Sequence, residues 1–441
     1  MAAAISPRPD NTGTPVWMEG KKINEILFCE EFLRMVPMRC IGGKFFTVDG
    51  QVENEETLQY AVMEYAKPYL TTGVSKKVKQ IIDTMRIVAR ADPLPVQTDR
   101  IHVANGTVFL DGRFTEEKEF CINRLPVHYD RSAPMPETWL RFLGDLLYPE
   151  DIPTLQEYMG YLLIPSTKGQ TMMLLKGKGG EGKSRIGLVV KALLGSSMKN
   201  GSIAKVETSP FARADLEYEL CMVDDDMKME AMASTHYIKS IITAETAMDL
   251  EKKGVQSYQG QMFVRFLAFS NGDLQALYDR SDGFFRRQLI LTVKERPPDR
   301  VDDPFIAEKI CGEIEGILRW ALCGLHRLIQ NNYQFTESER TRANREIAKR
   351  DNNNIFEFME SEGYIRLKAD CSISSKDLYA IYKMWCDENN MIPFKQRSFS
   401  ECLIANERRY NLEHCNNVTN AAGRRVWGFM GIEPLVRPNV I

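Results

Sequence analysis

The chain is short of the residue types that mark secreted, metal-stapled or membrane-embedded proteins. Its 441 residues include ten cysteines and five histidines, and no two cysteines form a C-x-x-C pair. Cys323 with His326, and His414 with Cys415, are the close His/Cys pairs. Neither has a second pair nearby in sequence, which argues against a zinc framework. Scattered thiols of this kind suit a reducing, cytoplasmic setting better than a disulfide scaffold. No apolar run approaches the ~20 residues that span a bilayer. Positive charge is also missing in bulk. Lys and Arg number 57 against 60 Asp and Glu, a net charge of −3. A uniformly basic coat is therefore excluded, and any nucleic-acid contact must use local patches. The stretch 1–20 is rich in Pro, Gly and Asn, lacks a signal-peptide core and reads as a loose tail.

What is present is an ordinary globular composition, 44% hydrophobic and 27% charged, long enough for about two to four domains. The organising stretch is Leu174-Leu175-Lys176-Gly177-Lys178-Gly179-Gly180-Glu181-Gly182-Lys183-Ser184. An apolar run from Met172 to Leu175 predicts a buried strand, and Ile186 to Leu194 a helix closed by Gly195. Between them Gly177 to Ser184 fits G-x-x-x-x-G-K-[ST], the strand–loop–helix context of a phosphate-binding loop. Glycines let backbone N–H groups turn inward around a phosphate chain. Lys183 would meet the β and γ phosphates of ATP, Ser184 would ligate Mg²⁺, and the helix N-terminus adds positive potential.

About forty residues on, Leu220 to Asp226 is an apolar strand ending in three acids. In a nucleotide site one carboxylate holds the Mg²⁺ shell and the next orients water. The spacing does not choose among Asp224, Asp225 and Asp226; Asp224 as metal ligand with Asp225 beside it is the preferred pair. Met248 to Lys252 and Gln261 to Ser270 predict two strands flanking Lys252-Lys253-Gly254. The second ends at Asn271, a polar tip able to reach water or the γ-phosphate. Gly283-Phe284-Phe285-Arg286-Arg287 sets two guanidinium groups beside an aromatic anchor. One of Arg286 and Arg287 could stabilise transition-state charge in an adjacent subunit.

The rest divides around this core. Residues 21–131 predict an α+β accessory domain, with helices over Glu56–Tyr69 and Val78–Arg90 and an Asn105-Gly106 hairpin. This region has no carboxylate cluster for a primase. Residues 132–330 hold two lead-in helices, the core, and a helical stretch Ile306–Ile329. Residues 331–353 are a polar connector. Residues 354–441 predict helix, turn, helix and hairpin, with Arg424 and Arg425 at the hairpin tip, a winged-helix-like DNA-binding module.

The order phosphate loop, acidic strand, lysine hairpin, strand-end Asn and Gly-Phe-Phe-Arg-Arg resembles the superfamily 3 helicases. Among these it is most similar to the phage and plasmid primase-helicase family with its poxvirus members. Leu125-Pro126-Val127-His128-Tyr129-Asp130 and Leu155 to Leu163 extend the likeness over nearly the full chain. The resemblance implies an α/β P-loop core of AAA+ type in a ring, a hexamer by family habit. It implies an ATP- and Mg²⁺-dependent DNA helicase in phage, prophage or plasmid-like replication, acting on single-stranded and forked DNA. Lys252 and Lys253 would then line the channel, and a separate primase or initiator is a potential partner. The alternative is an ATP-driven origin-binding initiator or packaging accessory without strand displacement. Three positions depart from the family pattern: Glu181 where Asn is usual, Leu274 where Pro is frequent, and Phe285 where Trp is common. Glu181 places an extra negative charge beside the phosphates.

Overall fold

The apolar run ahead of the glycine loop becomes strand β1 (Met172–Gly177), inside a five-stranded sheet. The structure, a computed structural model, describes residues 14–436 except 21, 53, 228–234, 272–281, 352–353, 390, 392 and 420–422. Two compact units divide the chain. The first holds the described residues of Met1–Lys228, Ser234–Asp273 and Arg286–Asn344; the second holds those of Leu274–Phe285 and Arg345–Ile441.

In the first unit the other strands are β2 (Met198–Asn200), β3 (Cys221–Asp224), β4 (Arg265–Asn271) and β5 (Gln288–Thr292). All pair in parallel, in the order β2-β3-β4-β1-β5. Parallel strands are covered on both faces, which is why they read as unbroken apolar runs rather than alternating ones. Met172 to Leu175 and Leu289 to Leu291 are accordingly buried. Register decides what meets at the carboxyl ends. Asn271 pairs with Gly177, while Asp224 pairs with Ala268. The acidic strand, the Asn271 strand and the loop strand thus end side by side.

Four helices share the core of this sheet: α1 (Glu137–Leu146), α2 (Ile152–Tyr161), α3 (Ser184–Leu194) and α4 (Ile314–Gln330). Helix α3 buries Ile186, Val189, Val190, Leu193 and Leu194 against the sheet. The first-turn N–H groups of Thr138 and Trp139 donate to the Glu313 carboxylate at 3.0 and 3.1 Å. Orphan donors of α1 are thereby satisfied from outside the helix. The fully buried Arg265 donates to the carbonyls of Tyr161 and Leu162 at 3.0 and 2.8 Å. This ties the end of α2 to the start of β4. Helices α2 and α4 touch backbone to backbone, since a Cβ on Gly160 would lie 2.4 Å from the Ala321 carbonyl oxygen. Gly160→Ala is expected to lower stability by about 2 kcal/mol in urea unfolding. The overpacking outweighs the ~1 kcal/mol that Ala gains over Gly in a helix.

The N-terminal part packs helices Glu25–Met35, Glu55–Ala66 and Val74–Val88 around Trp17, Phe28, Phe32 and Tyr65. The Asn-Gly hairpin pairs Arg100–Val103 with Gly106–Phe109, and its Ile101, Val103 and Val108 join the core of the large sheet. Within it, His102 is buried between Gln97 and Thr107. Burial, then the nearby Arg124 charge, push its pKa from 6.5 down to about 4. The folded state holds His102 neutral while the unfolded chain takes up a proton below 6.5. Stability should therefore fall as pH drops from 6.5 towards 4, by about 3 kcal/mol. The urea midpoint of wild type should track this fall, and that of His102→Gln should fall less. Equal falls in both would place the acid sensitivity elsewhere.

Two expectations change. The lysine hairpin pairs Met248–Leu250 with Tyr258–Gly260, not with the run Gln261–Ser270. That run supplies β4, because its continuous apolar character suits a covered parallel strand. The helical stretch Ile306–Ile329 is broken at Gly312 and Glu313 into Ile306–Cys311 and α4.

The second unit contains helices Asn354–Glu360, Ser375–Glu388 and Gln396–Ala405. Its three antiparallel strands are β6 (Ile365–Ser374), β7 (Glu413–Thr419) and β8 (Arg425–Pro434), in the order β6-β8-β7. Strand β6 and the first helix are additions to what periodicity suggests. Phe358, Tyr382, Trp385 and Phe399 form the core, with the Tyr382 and Phe399 rings stacked at 4.5 Å.

Candidate functional site

Beyond β1 the chain enters the loop with Gly179, Gly180 and Gly182 at φ of 109°, 81° and 110°. Side chains other than glycine rarely adopt this left-handed backbone. It turns the loop around the carboxylate of Glu181, which is 3% exposed. One carboxylate oxygen accepts from the N–H groups of Lys178 and Gly179, the latter at 2.9 Å. The other accepts from Lys183 Nζ at 2.7 Å. Burial pushes the Glu181 pKa up, but the Lys183 bond and the loop N–H groups outweigh it and hold the group below its ordinary value. Gly177 makes room, since a Cβ there would lie 2.6 Å from Lys183 Nζ and 2.8 Å from the Glu181 carboxylate. The loop thus cradles an anion, and the anion is its own side chain. Lys178 points outward and pairs with Glu295 at 2.6 Å.

The loop floors a cavity of about 730 Å³, within the range of small-molecule sites. Lys183, Ser184, Asp225 and Asn271 line it together with Phe142 of α1 and Arg300. Ser184 is the first residue of α3 and is exposed there. Asp224 lies behind this wall, buried at the end of β3, accepting from the Ile203 N–H at 2.7 Å. Burial, with the charges of Asp226 and Asp225 adding, raises its pKa despite hydrogen bonds from Ile203 and Asp226. Of the preferred pair, Asp225 reaches the cavity wall.

Other candidate residues lie elsewhere. Arg286 and Arg287 precede β5, whose first residue, Gln288, pairs with Met172 at the start of β1. They sit at the opposite end of the sheet from Gly177, about 20 Å along the strand. Arg286 is exposed and Arg287 half-buried; burial, then the Arg286 charge, lower the pKa of Arg287. Lys252 is engaged, 2.7 Å from the buried Glu217 carboxylate and over the Tyr258 ring at 4.7 Å. Lys253 is exposed in the loop between the short strands. Arg424 and Arg425 are exposed in the second unit, the latter opening β8. Sequence reasoning missed the segment after β5. Arg300 donates to the Glu181 carbonyl at 2.8 Å and pairs with Asp302, and Arg296 stands next to Gly180. No spacing rule announces these arginines, because they reach the loop from a segment over a hundred residues away.

Comparison with known proteins follows the same division. Residues 27–147 match the model described as D5 N terminal like, and residues 350–420 the one described as Poxvirus D5 protein-like. Residues 175–287, from the loop to Arg287, match a family of unknown function. The two D5 models thus match the chain on either side of the glycine loop. The chain's fold is shared with the apo structure of the NrS-1 C-terminal region, at a TM-score of 0.51 and 13% identity, over 94% of this chain and 100% of that one. An A-form apo structure of the same region aligns with a TM-score of 0.50 at 13% identity, over 92% and 98%. No curated protein matches the chain. Among its described residues no helix is long and apolar enough to cross a membrane.

Proposed function

We propose that this D5-like protein is an ATP-dependent DNA helicase of superfamily 3, working in the replication of a phage, prophage or plasmid-like element. The observation that carries the reading is the convergence of Lys183, Ser184, Asp225 and Asn271 on one cavity at the carboxyl ends of parallel strands, where α/β sheets bind ligands. The loop suits a phosphate chain because it already holds a carboxylate through two N–H groups and a lysine. ATP would take the place of Glu181, with Lys183 passing to the β and γ phosphates. Ser184 and Asp225, both on the cavity wall, would hold Mg²⁺, which neutralises phosphate charge when bound. Asp224, behind the wall, would back Asp225, and Asn271 would sense the γ-phosphate and orient the attacking water. The insertion of the Asn271 strand between loop strand and acidic strand supports a core of AAA+ type. Arg286 or Arg287, remote from its own cavity, would complete the site of a neighbour in a ring, as a hexamer. Lys253 and the Lys252 turn would touch single-stranded DNA, and the second unit would act as a winged-helix module through Arg424 and Arg425.

Strand displacement on forked DNA tests the proposal. ATP-dependent unwinding is expected with one of the two tail polarities. ATP-dependent assembly on duplex without displacement would replace the helicase reading with that of an initiator or packaging accessory.

Expulsion of Glu181 gives a second test. Gln keeps the shape and the N–H bonds but loses the charge that competes with phosphate. Charge-assisted hydrogen bonds are worth about 1.5–3 kcal/mol, so Glu181→Gln is expected to bind a non-hydrolysable ATP analogue roughly ten- to hundredfold more tightly in calorimetry. Weaker binding would mean that Glu181 stays in place and assists the ligand.

A further inference from the structure

The sequence has five tryptophans, and the fold treats one of them differently. Trp17, Trp139, Trp320 and Trp385 are buried, whereas Trp427 on β8 is 58% exposed. An indole carries a large apolar area, so leaving it in water forgoes a substantial burial gain. Its surroundings hold it in place. Arg425, Trp427 and Phe429 alternate along β8 and so share one face. Phe429 is fully buried and roots the strand in the core of the second unit. Across the ladder His414 pairs with Phe429 and packs on its ring at 4.8 Å. The same imidazole stacks on Trp427, with ring centroids 4.9 Å apart and planes 24° apart. One face of the indole is thus braced. Arg425 stands two residues along on the same face, exposed, opposite Thr419. Glu413, the neighbouring acid on β7, alternates to the other face.

We propose that the Trp427–His414 pair, with Arg425 beside it, is a stacking platform for an unpaired base of single-stranded nucleic acid. The proposal rests on the DNA-acting reading above and adds the contact and its substrate form. Positive charge next to an open π-face favours a base with its phosphate over an acidic or purely apolar partner. The indole can offer its face only to a base that is out of the stack, which selects single strands or frayed ends over intact duplex.

The full-length chain and oligo(dT) provide the test. Because the other four tryptophans are buried, acrylamide reports mainly on Trp427. Oligo(dT) is expected to quench the accessible emission and shield it from acrylamide, and both changes should vanish in Trp427→Phe. Trp427→Ala should weaken oligo(dT) binding about tenfold or more by anisotropy, with Trp427→Phe in between. The log–log salt slope should stay unchanged in Trp427→Ala, since no charge is lost, but flatten by about one in Arg425→Ala. A thermal melt equal to wild type confirms that Trp427→Ala folds. The proposal is overturned if Trp427→Ala binds oligo(dT) as wild type does, or if acrylamide reaches Trp427 equally in the complex. A Trp427-dependent change in oligomer mass without such shielding overturns it in favour of contact between copies. Should wild type still unwind forked DNA in those cases, the platform alone falls. Failure of wild type to bind any DNA removes both readings.

Discussion

Lys183→Ala is expected to reduce ATP turnover at least a hundredfold, as loss of a preorganised charge donor does at other catalytic centres. The structure adds a consequence that the motif does not contain. Lys183 and Glu181 are a buried pair, 2.7 Å apart, and removing one partner leaves a carboxylate with backbone donors but no cation. Breaking such a pair costs about 3–5 kcal/mol. The single variant should therefore melt earlier as well as lose activity. Adding Glu181→Gln to Lys183→Ala should restore the melting temperature while leaving turnover abolished. Recovery of turnover in the double variant would show that Lys183 served the fold and not the phosphates.

Arg286→Ala or Arg287→Ala is expected to cost roughly a thousandfold in turnover for whichever residue completes the neighbour's site. Both lie at the far end of the sheet from the cavity of their own chain, since β5 starts beside the start of β1 and the loop follows its end. A role in trans predicts complementation. Mixing the inactive arginine variant with Lys183→Ala should regain activity at interfaces that receive one intact half from each parent. The gain should rise with protein concentration and subunit exchange. Mixed rings that show only the sum of the parental rates would remove the trans role.

Much of the candidate site was legible from the order of residues. Gly177 to Ser184 is a contiguous motif whose function depends on local backbone shape, so strand, turn and helix could be read directly. The strand ending at Asp224 and the strand ending at Asn271 were visible as apolar runs with polar tips. Buried parallel strands leave that signature wherever they occur in the chain. The hairpin of Lys252 was misread at its second strand, because an apolar run beside a turn does not reveal whether it pairs locally or enters a distant sheet. The β6 strand escaped notice for the opposite reason: it is largely exposed and carries little periodicity.

What tertiary structure decided was which groups face one another. Sequence by itself determined the glycine loop, its lysine and serine, and the presence of acids and Asn at strand ends, because local backbone preferences and burial are written residue by residue. Only the fold determined that Asn271 stands beside Gly177, that Asp225 rather than Asp224 lines the cavity, and that Lys252 is engaged by Glu217. It likewise placed Glu181 inside the cradle and Arg300 on the Glu181 carbonyl. The Asn271 and Arg300 outcomes depend on sheet register and on distant segments meeting in space, the Glu217 and Glu181 ones on how side chains pack, and a one-dimensional pattern carries no record of either.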